Sequence, residues 1–207
     1  MKLIVISQEQ FFPQEAEWIN KLMSEHDFII HLRKPYSSEA EMDKFIQEID
    51  ENFYQRIVIH EHYLLAQKYN LKGIHLNARN RRMDEEDEYW SNCSISRSCH
   101  TLEEVVKYKE RCNYVTLSPI FDSISKQGYK AAFREDELKA AFKKGILDEK
   151  VIALGGITSS HFNDLSDLGF GGVAVLGTIW NHSELQAAQN ALSQIIELIN
   201  INSWKQH

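Results

Sequence analysis

The stretch VIALGGITSS, residues 151–160, decides the fold: an apolar run ends in the glycines Gly155 and Gly156 and continues into hydroxyl side chains. A short apolar run bounded by glycine is typical of a buried strand. A glycine pair at its end serves a tight turn or lets backbone N–H groups approach an anionic ligand. The pair alone leaves both interpretations open.

Seven further runs of this kind lie along the chain: KLIVIS, FIIHLR, RIVIHE, GIHLN, SISRS, YVTLSP and GVAVLG. Stretches with helical spacing separate most of them, namely AEWINKLMSE, EAEMDKFIQEI, TLEEVVKYKER, SSHFNDLSDLG and SELQAAQNALSQIIELI. Strands that alternate with helices predict a parallel sheet. Eight such units in 207 residues favour an α/β fold of the (β/α)8 or TIM-barrel type over an open sheet. Between GIHLN and SISRS, the charged segment RRMDEEDEYW predicts an irregular turn.

Composition fits a single domain over residues 1–207, with 43% hydrophobic residues. A formal net charge of −7 argues against a nucleic-acid partner. The apolar run Leu3–Ile6 is too short for a signal peptide or a membrane span, which predicts a cytoplasmic protein without a membrane partner. The three cysteines lack C-x-x-C spacing and predict reduced thiols.

Functional side chains of a parallel barrel lie where its strands end. The second strand ends in His31 and Arg33, which share a face by the two-residue period of a strand. A guanidinium at that position suits a phosphate or diphosphate, and the alternative is a solvated cation at the rim. The glycine pair after strand seven and Gly177-Thr178 after strand eight occupy the loops that commonly bind phosphate in this fold.

The sixth strand continues into SPIFDSISKQG, where Ser123, Ser125 and Lys126 form a polar segment. Such a loop can close on a ligand and bring a positive charge to it. The plain alternative is an ordinary surface loop, because serine, lysine and glycine are common there.

Histidines cluster at the third and fourth strands: His60 and His62 flank Glu61, and His75 follows. They lack the helical H-x-x-x-H spacing of zinc sites. We therefore interpret His75 as an interior or rim histidine with a satisfied hydrogen bond rather than as a zinc ligand.

Over nearly its whole length the chain resembles the superfamily of thiamine-phosphate synthases and thiazole tautomerases, which are small (β/α)8 barrels. HLRKP resembles the Gln-x-Arg-x-Lys end of the second strand in the synthases. It keeps Arg33, places His31 for glutamine and Pro35 for lysine, and offers Lys34 as a neighbouring substitute.

Three later segments carry the same resemblance. SPIFDSISK is similar to the sixth strand and hydroxyl loop of the synthases, with Ser123 and Ser125 on two threonines and Lys126 on the lysine. RSCHTLEE looks like the fifth-strand segment and puts Ser98 on a serine that contacts diphosphate. ALGGIT resembles the strand-seven loop whose glycine amides hold the thiazole phosphate.

The resemblance implies two groups of site residues. Arg33, Lys126 and Ser98 would act on the diphosphate as catalytic residues. The implied substrate-binding residues are His31, His60, Ser123, Ser125, Gly155, Gly156, Gly177 and Thr178, although Gly177 replaces a serine of the synthases.

The implied magnesium site is reduced in this chain. Synthases hold Mg²⁺ with two aspartates, and His60, Glu61 and Asn80 stand at the matching positions here. One carboxylate remains, so Glu61 and Asn80 would hold Mg²⁺ only with the help of the diphosphate. We expect weak or absent metal dependence.

The resemblance implies a transferase of thiamine biosynthesis that joins hydroxymethylpyrimidine diphosphate to thiazole phosphate and releases diphosphate. One alternative is a thiazole tautomerase, although Pro119 stands where that branch has its catalytic histidine. Another is a barrel that binds thiazole phosphate or thiamine phosphate without turnover. In each case the implied partners are small phosphorylated heterocycles, and assembly into a homo-oligomer stays open.

Overall fold

The computed structural model describes residues 1–78, 90–122 and 131–203, without the side chains of the last two. Eight parallel strands form a closed barrel in which each strand pairs with the next and the eighth pairs with the first. This confirms the predicted (β/α)8 fold. The strands are β1 Lys2–Ile6, β2 Ile29–Leu32, β3 Ile57–Ile59, β4 Gly73–Leu76, β5 Ser94–Cys99, β6 Tyr114–Leu117, β7 Val151–Leu154 and β8 Gly172–Val175.

Helices connect the strands on the outside of the barrel. They are α1 Glu15–Glu25, α2 Glu39–Gln47, α3 Leu64–Lys68, α4 Leu102–Tyr108, α5 Glu135–Lys143, α6 Phe162–Asp167, α7 Gly177–Trp180 and α8 Leu185–Ser203. Short 3-10 turns at Glu51–Arg56, Lys109–Arg111 and Ser159–His161 complete the connections. In the described part of the chain no helix has the length and apolar character needed to cross a membrane. The irregular turn expected between β4 and β5 falls mainly on residues 79–89, outside the described residues.

Two apolar layers stabilise the barrel, because alternate residues of each strand point to opposite faces. On β2, Ile30 and Leu32 pack outward against the helices. Facing the barrel axis is a smaller cluster made of Ile4, Ile6, Tyr114, Ile152 and Ala174. This cluster is the apolar floor on which the polar residues near the strand ends rest.

The barrel closes at a seam between β1 and β8. Lys2 pairs with Gly172, and its backbone N–H donates to the Gly171 carbonyl at 2.8 Å. A Cβ at Gly172 would lie 2.4 Å from the Lys2 carbonyl oxygen, so this close approach requires glycine. At the other end of β1, the Trp180 indole N–H of α7 donates to the Ile6 carbonyl at 2.7 Å. Strand β1 is therefore joined to β8 at one end and to α7, which follows β8, at the other.

Candidate functional site at the carboxyl end of the barrel

Three buried histidines meet inside the barrel above the apolar floor. His31 lies on β2, His60 directly follows β3, and His75 lies on β4. The ring centroid of His31 lies 5.1 Å from the ring centroid of His60 and 5.1 Å from that of His75. The rings of His60 and His75 stack with their centroids 4.3 Å apart. We call these three residues the imidazole triad. The interior position and satisfied hydrogen bonds expected for His75 are confirmed.

Hydrogen bonds orient the rings of the triad. His31 Nδ1 shares a hydrogen bond of 2.9 Å with His60 Nε2, and its Nε2 bonds the Tyr114 hydroxyl at 2.6 Å. His75 bonds Ser96 Oγ through Nδ1 and Ser98 Oγ through Nε2, each at 2.8 Å. A side-chain hydrogen bond between Tyr114 and Ser96 links the two sets, so polar contacts run from the buried floor up to Ser98, which is only half-buried.

Burial keeps His31, His75 and Tyr114 uncharged at neutral pH. Loss of solvation lowers the pKa of His31 well below its ordinary value, and the nearby His75 lowers it further. Burial also lowers the pKa of His75 to about 3, with smaller contributions from the positive charges of Arg97 and Arg33. Burial raises the pKa of Tyr114, so its phenol stays protonated. The centre of the barrel is therefore polar but carries no formal charge on these groups.

Arg33 leaves β2 on the same face as His31 and brings a positive charge to the mouth. Its Nη1 donates to Glu9 Oε1 at 2.7 Å, and its backbone N–H donates to Ser7 Oγ at 2.9 Å. The side chain is 25% exposed. Residues after β1 therefore hold the guanidinium in place while leaving part of it accessible to a ligand.

Lys34 points away from the mouth, so the expectation that it substitutes for the family's lysine is wrong. Its Nζ donates to both carboxylate oxygens of Glu15 at 2.7 Å and to the Gln10 carbonyl at 3.0 Å. The physical reason is the strand period, which places neighbours Arg33 and Lys34 on opposite faces. Lys34 is completely buried outside the barrel, where Phe11 lies 4.7 Å from its ammonium group.

The glycine pair after β7 lies against the segment that follows β6. Gly155 and Gly156 have φ of 99° and 64°. A Cβ at Gly155 would lie 2.9 Å from Pro119 Cα, and one at Gly156 would lie 2.2 Å from the Asp122 carbonyl oxygen. The Phe121 N–H also donates to the Gly155 carbonyl at 3.1 Å. The tight turn explains both glycines, and phosphate binding by their N–H groups stays a prediction.

Gly177 and Thr178 begin the short helix α7 after β8. The Thr178 hydroxyl donates to the Ile157 carbonyl at 3.2 Å and so connects this helix to the turn after β7. The two loops predicted to bind phosphate are therefore neighbours. Of the other predicted residues, Asn80, Ser123, Ser125 and Lys126 lie outside the described residues.

The described donors do not form a two-carboxylate magnesium site. Glu61 follows His60 at the end of β3, and its Oε2 accepts the Lys34 backbone N–H at 3.0 Å. The adjoining side chains are imidazoles, whereas Mg²⁺ prefers oxygen ligands in octahedral geometry. Asn80, the predicted partner of Glu61 in metal binding, lies outside the described residues.

Sequence analysis missed three residues that shape this site: Ser96, Tyr114 and Glu9. Ser96 and Tyr114 occupy inward positions of β5 and β6, and strict alternation from the candidate Ser98 would have identified Ser96. Glu9 follows β1 in an irregular segment, where no periodicity indicates the direction of a side chain. Its pairing with Arg33 follows only from the closed barrel, which places the ends of β1 and β2 side by side.

Comparison with known proteins places this geometry in one family. Residues 3–179 match the family model described as thiamine monophosphate synthase. The chain is 28% identical over 196 residues to a thiamine-phosphate synthase of Flavobacterium johnsoniae, which covers 88% of this chain and 90% of that protein.

Solved structures agree with the sequence matches. A thiamine phosphate pyrophosphorylase from Bacteroides thetaiotaomicron superposes with a TM-score of 0.85 and 37% identity, over 97% of this chain and 98% of that one. A thiamine phosphate pyrophosphorylase from Pyrococcus furiosus superposes with a TM-score of 0.75 over 95% of each chain. At 19% identity, this second likeness supports the fold alone.

Proposed function

The chain belongs to the thiamine monophosphate synthase family, and from this premise we propose that it couples hydroxymethylpyrimidine diphosphate to thiazole phosphate with release of diphosphate. One observation carries the proposal: a guanidinium fixed by Glu9 lies at the mouth of a barrel in which burial lowers the pKa of His31 and His75 and keeps both rings uncharged. An anionic leaving group and a cationic intermediate need this division of charge.

The reaction breaks the bond between the pyrimidine methylene carbon and the ester oxygen that joins it to the first phosphorus of the diphosphate. The electron pair leaves with diphosphate, and the lone pair of the thiazole nitrogen then forms the new carbon–nitrogen bond. Arg33 and Lys126 stabilise the charge that develops on the leaving group, and Ser98 contacts the same group. Fixed donors of this kind stabilise a transition state more than they stabilise the substrate.

The buried imidazoles have a specific task in this mechanism. His31 and His60 contact the pyrimidine ring inside the barrel. Because burial holds the pKa of His31 well below its ordinary value, no positive charge on this ring opposes the pyrimidine cation. The pyrimidine can therefore ionise beside hydrogen-bonding groups that do not repel it.

The thiazole phosphate lies at the loops after β6, β7 and β8. We assign its contacts to the backbone N–H groups of Gly155, Gly156 and Gly177 and to the hydroxyl groups of Thr178, Ser123 and Ser125. Support comes from the contact between Thr178 and Ile157, which keeps the last two of these loops together. Phosphate at this corner is common in barrels of this class.

Metal dependence follows from the reduced carboxylate set. If Glu61 and Asn80 contribute to Mg²⁺ binding, the diphosphate and water must supply most of the ligands. We propose that chelation lowers the turnover only weakly. The cytoplasmic location remains a prediction beside it, and assembly into a homo-oligomer stays open.

A coupling assay with both substrates tests the function, run once with Mg²⁺ and once with chelator. We expect one diphosphate released for each thiamine phosphate formed. Conversion of a carboxythiazole tautomer without any pyrimidine substrate would instead identify a tautomerase. Binding of thiazole phosphate in a calorimeter, with no product at saturating substrates and Mg²⁺, would identify a binding protein.

Lys126 provides a direct test of the leaving-group mechanism. Substituting Lys126→Ala should lower the rate at least roughly tenfold, which corresponds to about 1.4 kcal/mol of transition-state stabilisation. Lys144→Ala, at an exposed lysine after α5, is the matched control and should leave the rate unchanged. Unchanged turnover in Lys126→Ala would remove this lysine from the mechanism.

A further inference from the structure

The imidazole triad offers three nitrogen donors to one point in space. Each ring of His31, His60 and His75 has a nitrogen within 4.8 Å of the nitrogens of the other two. In a tetrahedral zinc site, bonds of about 2.0–2.1 Å place the ligating nitrogens about 3.4 Å apart. The pair formed by His31 Nδ1 and His60 Nε2 is already within this spacing at 2.9 Å. Small side-chain rotations of His75 would bring one of its nitrogens to the same spacing from His31 and His60.

We propose that the imidazole triad is a binding site for Zn²⁺, with an open position that faces the mouth of the barrel. The inference concerns binding alone and does not rest on the coupling reaction. It is also distinct from a magnesium site, because imidazole ligands favour zinc and its late transition-metal neighbours over Mg²⁺.

The protonation state of the triad suits coordination. A metal needs the lone pair of a neutral imidazole, and a ring that is protonated at ordinary pH would have to release a proton first. Loss of solvation lowers the pKa of His31 and His75, so both rings are neutral. The proton shared by His31 and His60 moves to the far nitrogen of one ring when the metal replaces it. No net proton is released.

Hydroxyl groups behind the rings supply the outer contacts that metal-binding histidines usually have. Tyr114 holds Nε2 of His31 at 2.6 Å, which leaves Nδ1 for the metal. His75 has a serine on each nitrogen, Ser96 and Ser98, at 2.8 Å. Coordination displaces one serine, and the other keeps the ring in position. Such outer contacts commonly raise metal affinity about 10–100-fold.

Surrounding groups determine how the ion would be held. Isoleucines and Ala174 of the apolar floor lie below the triad, and His60 is 5% exposed, so the approach is from the mouth. Arg97 and Arg33 both oppose a cation near His75, and the charge of Arg33 is offset by Glu9 at 2.7 Å. Glu61 directly follows His60, and its Oε2 accepts the Lys34 backbone N–H at 3.0 Å. A water or a substrate oxygen would complete the coordination.

Titration of the intact, metal-free chain with Zn²⁺ alone tests the proposal, with Mg²⁺ as a parallel titrant. We expect saturable binding of one Zn²⁺ per chain, a higher melting temperature with Zn²⁺ and no response to Mg²⁺. Substituting Co²⁺ should produce the visible absorption of a tetrahedral site with nitrogen ligands. Absence of saturable binding, or binding at several equivalent sites, would overturn the proposal.

Variants connect the binding to the triad. His31→Gln, His60→Asn and His75→Asn should each weaken Zn²⁺ binding at least about tenfold and abolish or shift the cobalt spectrum. His26→Asn, at the end of α1, is the matched control and should change neither. Equal loss in the control, or none in the three variants, would contradict the assignment.

Tyr114→Phe keeps the proposal testable if a histidine variant fails to fold. It removes only the hydroxyl that holds His31 and leaves all three ligands in place. We expect weaker Zn²⁺ binding with an unchanged stoichiometry of one. Unchanged affinity in a variant that melts like the parent would show that the triad does not use this contact and would count against the geometry proposed.

Discussion

The residue with the most unusual surroundings is Lys34, whose ammonium group is completely buried against Glu15. Burial outweighs the mutual attraction: it raises the pKa of Glu15 and lowers that of Lys34. We expect Lys34→Met to cost about 3–5 kcal/mol in the free energy of unfolding, because an unpaired carboxylate stays behind. Adding Glu15→Leu should restore stability to within about 1 kcal/mol of the parent. Urea unfolding measures both.

An exposed ion pair is the control for these two variants of the buried pair. Lys139 and Glu135 form an ion pair on α5 with 60% and 75% of their side-chain surfaces exposed. Lys139→Met should change the unfolding free energy by less than about 0.5 kcal/mol. A double variant at Lys34 and Glu15 as unstable as Lys34→Met alone would show that the buried pair is needed as a pair.

Substitution of Arg33 tests its part in the proposed reaction. Arg33→Ala should lower kcat/KM for coupling at least roughly tenfold, or about 1.4 kcal/mol. Arg33→Lys should recover only part of this loss, because a lysine keeps the charge and loses the planar pair of donors. Steady-state kinetics with hydroxymethylpyrimidine diphosphate as the varied substrate measures both effects.

Arg134 provides the comparison for Arg33. It forms an exposed ion pair with Asp136 at the start of α5, and 80% of its side chain is in solvent. Arg134→Ala should leave kcat/KM unchanged. If Arg33→Ala also left it unchanged, the guanidinium would have no part in stabilising the leaving group.

At the scale of elements, the turns after β6 and β7 depend on Gly156. Its φ is 64°, and a Cβ would lie 2.2 Å from the Asp122 carbonyl oxygen. Gly156→Ala therefore adds a steric clash to backbone strain. We expect a loss of about 2–4 kcal/mol in unfolding free energy, together with a higher KM for thiazole phosphate.

Gly145 separates these two costs. Its φ of 68° is nearly the same, yet nothing lies within 4 Å of a Cβ at this position. Gly145→Ala should lose about 1–2 kcal/mol from backbone strain alone and leave KM unchanged. Equal losses in the two variants would show that the contact between the turns contributes nothing.

Elements with a clear period could be predicted from sequence, and the others could not. All eight strands form where short apolar runs occur, because these runs are buried on both faces. Helices α3, α5 and α7 went unrecognised. The first has five residues, the second, EDELKAAFK, buries only Leu138 and Ala141, and the third has four residues, so none shows a long apolar stripe.

The site was predictable where it follows strand ends and resemblance, and unpredictable where it depends on barrel closure. His31, His60 and Ser98 were identified as candidates, and the described structure puts all three at one end of the barrel. The convergence of His75 with His31 required the strand register, which places β2, β3 and β4 side by side. The outward position of Lys34 likewise follows from register, not from residue type.

At the scale of the whole molecule, the closed barrel predicts a single cooperative unfolding transition for residues 1–207. Each strand has two neighbours, so no subset of strands keeps all of its hydrogen bonds when another is lost. The chain has native tryptophans on α1, before β5 and on α7. Their fluorescence should report the same urea midpoint as far-UV circular dichroism. Two separate midpoints would contradict the expectation of one domain.

The seam between β1 and β8 has a consequence during synthesis. A ribosome makes the chain from its amino end, so the edge of β1 that pairs with Gly172 has no partner until nearly the whole barrel has been translated. Until then the nascent chain presents an unpaired, apolar strand edge, which is the kind of surface that chaperones cover and that promotes association between chains. Completion of the ring removes that edge in one step.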